Sequence, residues 1–328
     1  MKIFVNIPEG FRNNSFITDR IKKKLSDVAD VCYNTTSKPL HSKVLAEQLK
    51  DADAVITGWG QPLMKKEDLG SVKIIAHTGG TIGGIVDVDV FGSGVTVLSG
   101  NNYYAESVSE GVIAYMLYGL RNMGYYENEL RAGQWTWDTK TKGLLNRSVG
   151  LISYGAISSR VIPKLRLFTD DIRVYSTHKN AELAQKEGFK YAELDEIFAE
   201  CDVVSVHTAK NPQTIHMIGK KQFELLKDGA LFINTSRGAV INELELIEAL
   251  KNENFTAVLD VYEKEPLEEN NPLRSLKNVI LFPHMAGPTY DMREKITSAL
   301  IDDLILIDKG GKSSNEITKE MALRMTIS

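Results

Sequence analysis

The feature that most constrains the fold is an alternation of short apolar runs with amphipathic helical segments along almost the whole chain. KIFVNI, AVITG, VKIIAH and VTVLSG in the first half, and SVGLISYG, VVSVHT, ALFINTS and VILFPH in the second, are typical of buried strands. Strands separated by helices indicate βα units and parallel sheets. We therefore predict two doubly wound, Rossmann-like α/β domains with parallel sheets and a cleft between them, the second domain starting near Asn102.

Three helices stand out from their apolar spacing. An early helix is predicted to bury Ile17, Ile21, Leu25 and Val28 on one face. A long helix is predicted from about Glu106 to Arg131, with its stripe at Val108, Val112, Met116, Leu120 and Met123. A last long helix is predicted from about Pro288 to Asp308.

Composition excludes several functional classes. The chain has 328 residues, a net charge of −4 and no basic run, which argues against nucleic-acid binding. No apolar stretch approaches the roughly 18 residues that a membrane span needs, and the chain starts in a strand pattern without a signal layout. Cys32 and Cys201 lie in apolar surroundings without metal-type spacing, so we expect buried thiols, no metal site and a cytoplasmic protein.

The stretch VGLISYGAISS resembles a dinucleotide-binding turn with two of its glycines replaced. The positions of G-x-G-x-x-G read Ser153, Gly155 and Ser158. Gly155, the middle position, lets the backbone approach a pyrophosphate at the start of a helix. Taken alone, the pattern fits either a nucleotide site or an ordinary strand–turn–helix.

The next strand, IRVYS, ends at Ser176, where an acidic residue would accept hydrogen bonds from the adenosine ribose. Ser176, Thr177, His178 and Lys179 supply hydroxyls and positive charge there instead. This set suits the 2′-phosphate of NADP, and a solvated loop is the alternative interpretation.

Three later strands each end in a residue with catalytic potential. Arg237 follows LFINTS, Glu265 follows AVLDVY, and His284 follows VILFP. A guanidinium binds a carboxylate bidentately, while histidine carries protons near neutral pH when a carboxylate holds its ring. If the three strands are neighbours in one sheet, these groups form one site.

These motifs resemble those of the D-isomer-specific 2-hydroxyacid dehydrogenases. LLKDGALFINTSRGAVINELELIEAL, LDVYEKEP and FPHMAGPT match the family in order and spacing. The resemblance implies that Arg237 binds the substrate carboxylate, that His284 is the acid/base and that Glu265 is its partner. In IIAHTGGTIG it implies that the backbone amides of Thr78, Gly79 and Gly80 hold the carboxylate.

The resemblance also settles the altered turn as the cofactor turn, for NAD or NADP. The residues then expected at the cofactor are Ser153, Gly155, Ala156, Ile157, Ser158, Ser176, Thr177, His178, Lys179, Thr208, Thr235, Ser236, Arg237, Asp260, His284, Ala286 and Gly287. The family default is NAD, and Ser176 in place of an acid favours NADP slightly.

The resemblance implies a discontinuous substrate domain, residues 1–101 and 289–328, and a cofactor domain, 102–288. It implies a homodimer built through the cofactor domains and a reaction between a small 2-keto acid and its D-2-hydroxy acid. Trp59, at a strand end of the first domain, disfavours a phosphorylated substrate if it lines the site. Glyoxylate, hydroxypyruvate, pyruvate and bulkier keto acids all stay open.

Two alternatives share the scaffold. The first is a nucleotide-sensing binding protein, like the C-terminal binding corepressors, which keep the same triad of Arg237, Glu265 and His284. Formate dehydrogenases carry Gln where this chain has Glu265, because formate oxidation needs no acid/base pair.

Overall fold

The computed structural model describes residues 1–10 and 15–326. Its strands are β1 Lys2–Val5, β2 Asp30–Tyr33, β3 Ala54–Thr57, β4 Ile74–His77, β5 Thr96–Ser99, β6 Val149–Ile152, β7 Ile172–Tyr175, β8 Lys190–Tyr191, β9 Val203–Val206, β10 Leu231–Asn234, β11 Thr256–Leu259 and β12 Val279–Leu281. Its α-helices are α1 Asp19–Ser26, α2 Ser42–Leu49, α3 Asn101–Leu120, α4 Met123–Arg131, α5 Ser158–Leu165, α6 Ala181–Glu187, α7 Leu194–Glu200, α8 Lys220–Leu225, α9 Glu243–Leu250, α10 Tyr290–Asp308 and α11 Lys319–Arg324.

The chain divides into two compact units: Met1–Ala105 with Pro288–Ser328, and Glu106–Gly287. We call them the first and the second unit. Each is built on a parallel sheet with helices on both faces, so the predicted fold class of two Rossmann-like domains is confirmed.

The first unit holds a sheet in the order β2-β1-β3-β4-β5. Strands β3 and β4 are buried along their whole length, which explains their continuous apolar sequences. Ile21 of α1 and Leu300 of α10 pack on one face, and Leu45 and Leu49 of α2 pack on the other. The strand order reverses between β1 and β3, which places a switch point at their carboxyl ends.

The second unit holds a sheet in the order β12-β11-β10-β9-β6-β7-β8. Val112 of α3 and Val161 of α5 pack on one face, while Phe198 of α7 and Leu246 of α9 pack on the other. The strand order reverses between β6 and β9, so the switch point of this sheet lies beside the altered glycine turn.

Several local predictions need correction. The predicted helix from Glu106 to Arg131 is two helices, α3 and α4, separated at Asn122, whose φ of 48° is left-handed and interrupts the helix. Val28 lies beyond the end of α1 and is exposed. Cys201 is buried, but Cys32 is exposed because β2 is an edge strand. Within the described residues, no helix is long and apolar enough to cross a bilayer.

Candidate active site

Arg237, Glu265 and His284 stand beyond the carboxyl ends of three neighbouring strands. Arg237 follows β10, Glu265 follows β11 and His284 follows β12, and these strands are adjacent in the order β12-β11-β10. Because the strands are parallel, their carboxyl ends meet at one edge of the sheet. The second unit therefore brings the three residues to a common edge.

A hydrogen bond joins the histidine to the glutamate. His284 Nδ1 lies 2.7 Å from Glu265 Oε2, and the Tyr262 amide donates to Glu265 Oε1 at 3.1 Å. The carboxylate therefore selects the tautomer with the proton on Nδ1 and leaves Nε2 for a substrate.

Two opposed effects set the pKa of the Glu265 carboxyl. Partial burial raises this pKa, but the hydrogen bonds from His284 and Tyr262 and the charges of His284 and Arg237 outweigh burial and hold it below the ordinary 4.5. A lowered pKa means that ionised Glu265 stabilises the fold above about pH 4.5 and that this contribution is lost as the pH falls further.

Asp260 holds the turn that carries His284 by accepting hydrogen bonds from its backbone. The φ of His284 is 52°, a left-handed conformation that is unfavourable outside glycine and must be imposed by its surroundings. Asp260 is buried just beyond β11, and its two oxygens accept the amides of Met285 at 2.8 Å and Ala286 at 2.9 Å. The Tyr115 hydroxyl also donates to Asp260, at 2.9 Å. Asp260 thus orients the histidine turn, whatever contact it makes with a cofactor.

Arg237 is held by its own loop. Asn234 Oδ1 accepts from the amide and the hydroxyl of Ser236, and Asn234 Nδ2 donates to the Arg237 carbonyl. The guanidinium donates through Nη1 to the Ser236 carbonyl at 2.6 Å. Burial lowers the pKa of Arg237 and the charge of Glu265 opposes that change; a guanidinium remains protonated at any working pH.

Gly238 ties the arginine loop to the glutamate loop. A Cβ at position 238 would lie 1.9 Å from the Tyr262 carbonyl carbon and 2.3 Å from the Glu263 amide nitrogen. The two backbones are therefore in contact, and only glycine allows it. Arg237 and Glu265 are positioned together through this contact.

At the switch point between β6 and β9, hydrogen-bonded hydroxyl side chains support the turn that lacks its first and third glycines. Ser153 keeps a left-handed φ of 81°, the conformation for which a glycine would normally be chosen. Its Oγ lies 2.9 Å from Thr208 Oγ1, and buried Ser158 donates to the Ser153 carbonyl at 2.6 Å. The turn thus keeps its shape without the first and third glycines.

The residues at this switch point fit a dinucleotide. A Cβ added at Gly155 would meet nothing within 4 Å, so the backbone there borders open space before α5. Directly beyond β10, two strands from β6 in the sheet, the Thr235 hydroxyl is buried without a hydrogen-bond partner among the described residues, which leaves a polar group for a ligand to satisfy. Ala156 and Ile157 form the turn itself, and Gly287 borders open space in the same unit.

The residues of the loop after β7 hydrogen-bond to one another. Ser176 Oγ donates to the His178 carbonyl at 2.9 Å and accepts from its amide, and Thr177 Oγ1 lies 3.0 Å from His178 Nδ1. Lys179 is paired with Glu193 at 2.6 Å on the surface. The positive charge expected at this loop is therefore partly balanced by Glu193.

In the first unit, the loop after β4 exposes backbone rather than side chains. Position 79 cannot hold a Cβ because one would lie 2.3 Å from His77 Nε2, and position 80 is closed by the Tyr104 ring at 2.9 Å. The Gly79 and Gly80 amides donate no hydrogen bond within the described part of the chain. The Thr78 amide donates to the Thr57 carbonyl at 2.9 Å, so the expectation that it binds a carboxylate is not supported.

Sequence reasoning missed the supports of the triad: Asn234, Gly238, Tyr115 and the Tyr262 amide. The glycine directly after Arg237 was the available signal, since glycine there permits close backbone approach. The sequence pattern places Asp260 inside the apolar run AVLDVY, whereas β11 ends at Leu259, so Asp260 lies just beyond the strand.

Comparison with known proteins defines the class. The family model described as the D-isomer specific 2-hydroxyacid dehydrogenase NAD binding domain matches residues 113–286, more than half of the chain. The chain belongs to this family of NAD-binding oxidoreductases.

Two relatives and one solved structure illustrate the similarity. The chain is 31% identical over 246 residues to a D-3-phosphoglycerate dehydrogenase of Archaeoglobus fulgidus, a match covering 73% of this chain and only 46% of that protein. It is 27% identical to a glyoxylate reductase of Korarchaeum cryptofilum, over 86% of this chain and 88% of that one. Its fold matches that of D-lactate dehydrogenase with NAD⁺ from Lactobacillus jensenii, with TM-score 0.78, 23% identity and coverage of 97% and 100%.

Replacing Gly238 by Ala tests the link between the two loops. The new Cβ must displace the backbone at Tyr262, so we expect the free energy of unfolding to fall by about 1–3 kcal/mol and keto-acid turnover to drop sharply. Urea unfolding and steady-state kinetics measure both. Gly143→Ala is the matched control, because its Cβ would meet nothing closer than 3.9 Å. Wild-type behaviour of Gly238→Ala would mean that the loops are not in contact.

Proposed function

We propose that this protein is an NAD(P)-dependent dehydrogenase that interconverts a small 2-keto acid and its D-2-hydroxy acid. The observation that carries the proposal is the 2.7 Å hydrogen bond between His284 and Glu265 at the same sheet edge as Arg237. An imidazole–carboxylate pair manages a proton, and a neighbouring guanidinium binds a carboxylate and a developing oxyanion. Membership of the family supports the same reaction.

The chemistry divides among these residues. When bound, NAD(P)H supplies the hydride that reduces the carbonyl carbon. Arg237 holds the substrate carboxylate and stabilises the negative charge that develops on the carbonyl oxygen. His284 donates the proton on Nε2 to that oxygen, and Glu265 stabilises the imidazolium before transfer. In the first unit, the Gly79 and Gly80 amides are the proposed carboxylate donors.

Replacing His284 by Ala tests the proton carrier. Loss of general acid catalysis should lower kcat for 2-keto-acid reduction by roughly 10²–10⁴-fold, while a fluorescence titration still detects NADH binding. A matched control is His41→Ala, which removes an exposed histidine of the first unit, away from the residues placed at the site. Near-normal turnover of His284→Ala would exclude His284 as the acid. A wild type that binds cofactor but reduces no keto acid would favour a nucleotide-sensing protein.

We further propose that NADPH is used at least as well as NADH. Ser176 stands where a carboxylate would repel a 2′-phosphate, and the loop adds His178 and Lys179. The ion pair between Lys179 and Glu193 makes this preference small, because Glu193 competes for the lysine. Cys201 and Cys32, both free thiols, are compatible with the cytoplasm, which we propose as the location.

Replacing Ser176 by Asp tests this reading of the ribose loop. The new carboxylate should accept ribose hydroxyl bonds and repel a 2′-phosphate, so we expect a shift toward NADH of roughly 1–2 kcal/mol in the ratio of kcat/KM values. Ser176→Asn is the control, because the Asn side chain has the shape of Asp without its charge. If the wild type strongly prefers NADH and Ser176→Asp leaves that preference unchanged, the loop does not read the ribose.

We also propose a homodimer through the second unit. Trp135 and Trp137 follow α4 and are 74% and 78% exposed, with Leu130 and Tyr125 of α4 also exposed. The two indole rings contact each other edge to face, with centroids 6.2 Å apart. A cluster of exposed aromatic and aliphatic side chains of this kind is typical of a protein interface.

Replacing both Trp135 and Trp137 by Ala should weaken the dimer, because large buried aromatic side chains dominate interface energies. Sedimentation velocity over a concentration series measures the effect, with Leu244→Ala as the control for loss of an exposed apolar side chain elsewhere on this unit. A wild type that sediments as a monomer, or a double variant that dimerises normally, would contradict the proposal.

A further inference from the structure

A cluster of hydrogen-bond donors lies at the switch point of the first unit's sheet. Trp59 stands two residues beyond β3, where the strand order reverses, and open α/β sheets bind ligands at such points. Arg293, in the first turn of α10, places its guanidinium carbon 5.1 Å from the Trp59 ring centroid and 5.9 Å from that of Phe16. Phe16 and Trp59 meet edge to face at 4.9 Å.

The Arg293 guanidinium makes hydrogen bonds on one side and has N–H donors that are not used. Arg293 Nε donates to the Pro288 carbonyl at 3.2 Å, and Nη1 lies 3.4 Å from Ser15 Oγ. A guanidinium has five N–H donors, so three are left over. Among the described residues, no carboxylate lies within 4.0 Å of its nitrogens. The two aromatic rings fix the plane of a cation that has no acidic partner.

A second unsatisfied donor belongs to the same cluster. The Tyr104 hydroxyl is buried, and its proton has no acceptor among the described residues. Burial raises the pKa of Tyr104, while hydrogen bonding by the Trp59 indole, which can only donate, and the charge of Arg293 act in the opposite direction. Tyr104 therefore keeps its proton and can donate it in a hydrogen bond to a ligand.

The cluster adjoins the loop proposed to hold the substrate carboxylate. The ring of Tyr104 closes on Gly80, as the 2.9 Å approach of a Cβ there shows. The Ser99 hydroxyl donates to the carbonyls of Gly79 and Gly80, and the Gly100 amide donates to the Gly79 carbonyl. The carbonyls of this loop are therefore already hydrogen-bonded, and its amides are the groups that can bind a ligand. Burial lowers the pKa of nearby His77 to about 4, so this histidine is neutral and Arg293 supplies the positive charge.

We propose that Arg293 and Tyr104 form a subsite for a second, distal carboxylate, so that the preferred substrates are dicarboxylic 2-keto acids. This inference rests on the proposed function, because it assumes that the Gly79 and Gly80 amides bind the first carboxylate. The guanidinium balances one negative charge and the neutral hydroxyl adds one hydrogen bond, which fits a carboxylate better than a doubly charged phosphate. Trp59 and Phe16 cover the methylene groups between the two carboxylates.

Pairs of keto acids of equal chain length test the subsite. We would measure kcat/KM for oxaloacetate against 2-oxobutyrate and for 2-oxoglutarate against 2-oxovalerate, where a carboxylate replaces a methyl group. In the wild type, the dicarboxylic member of at least one pair should be preferred. In Arg293→Gln, that preference should fall by about 10- to 100-fold, the effect of losing a charged hydrogen bond. Arg293→Lys should restore part of it.

Arg20→Gln is the matched control, because Arg20 is an exposed cation of the same unit that pairs with Glu294 of α10. Its ratio should equal that of the wild type. The proposal would be overturned if the wild type preferred neither dicarboxylic acid, or if Arg293→Gln lost activity equally on both members of a pair. It would also be overturned by a higher kcat/KM for 3-phosphohydroxypyruvate than for both dicarboxylic acids. Failure of the proposed function is distinct, since the wild type would then reduce none of these acids.

Discussion

The arrangement of the candidate site depends on Asp260, a buried carboxylate directly beyond β11. Its oxygens hold the amides of Met285 and Ala286, and this grip imposes the left-handed backbone of His284. The imidazole is thereby aimed at Glu265, which is held by the Tyr262 amide. Since Gly238 brings the arginine loop against the same segment, direct contacts connect the three strand ends.

Much of this organisation could be predicted from the sequence, because parallel strands buried on both faces leave continuous apolar runs. The residues after LFINTS, AVLDVY and VILFP are therefore identifiable from the sequence as strand-end residues. The glycine turn was harder, since only Gly155 remains. The structure explains why the loss is tolerated: Ser153 adopts the glycine conformation, and Ser158 and Thr208 bond to it.

Other features could not be predicted because they arise from tertiary contacts. The break at Asn122 has no Pro or Gly at that residue, and the apolar stripe runs across it. That the Thr78 amide is used by Thr57 follows from strand register. Arg293 lies far along the chain from Phe16 and Trp59, so their contact leaves no local pattern. Periodicity reports which face is buried, not which distant side chain covers it.

The central claim, that Glu265 sustains His284 as the proton donor, is tested most directly by the pH dependence of kcat/KM for keto-acid reduction in Glu265→Gln. Glutamine keeps the shape but not the charge that stabilises the imidazolium. The pH above which reduction declines should therefore be lower in Glu265→Gln than in the wild type. Identical profiles for the two proteins would contradict the account.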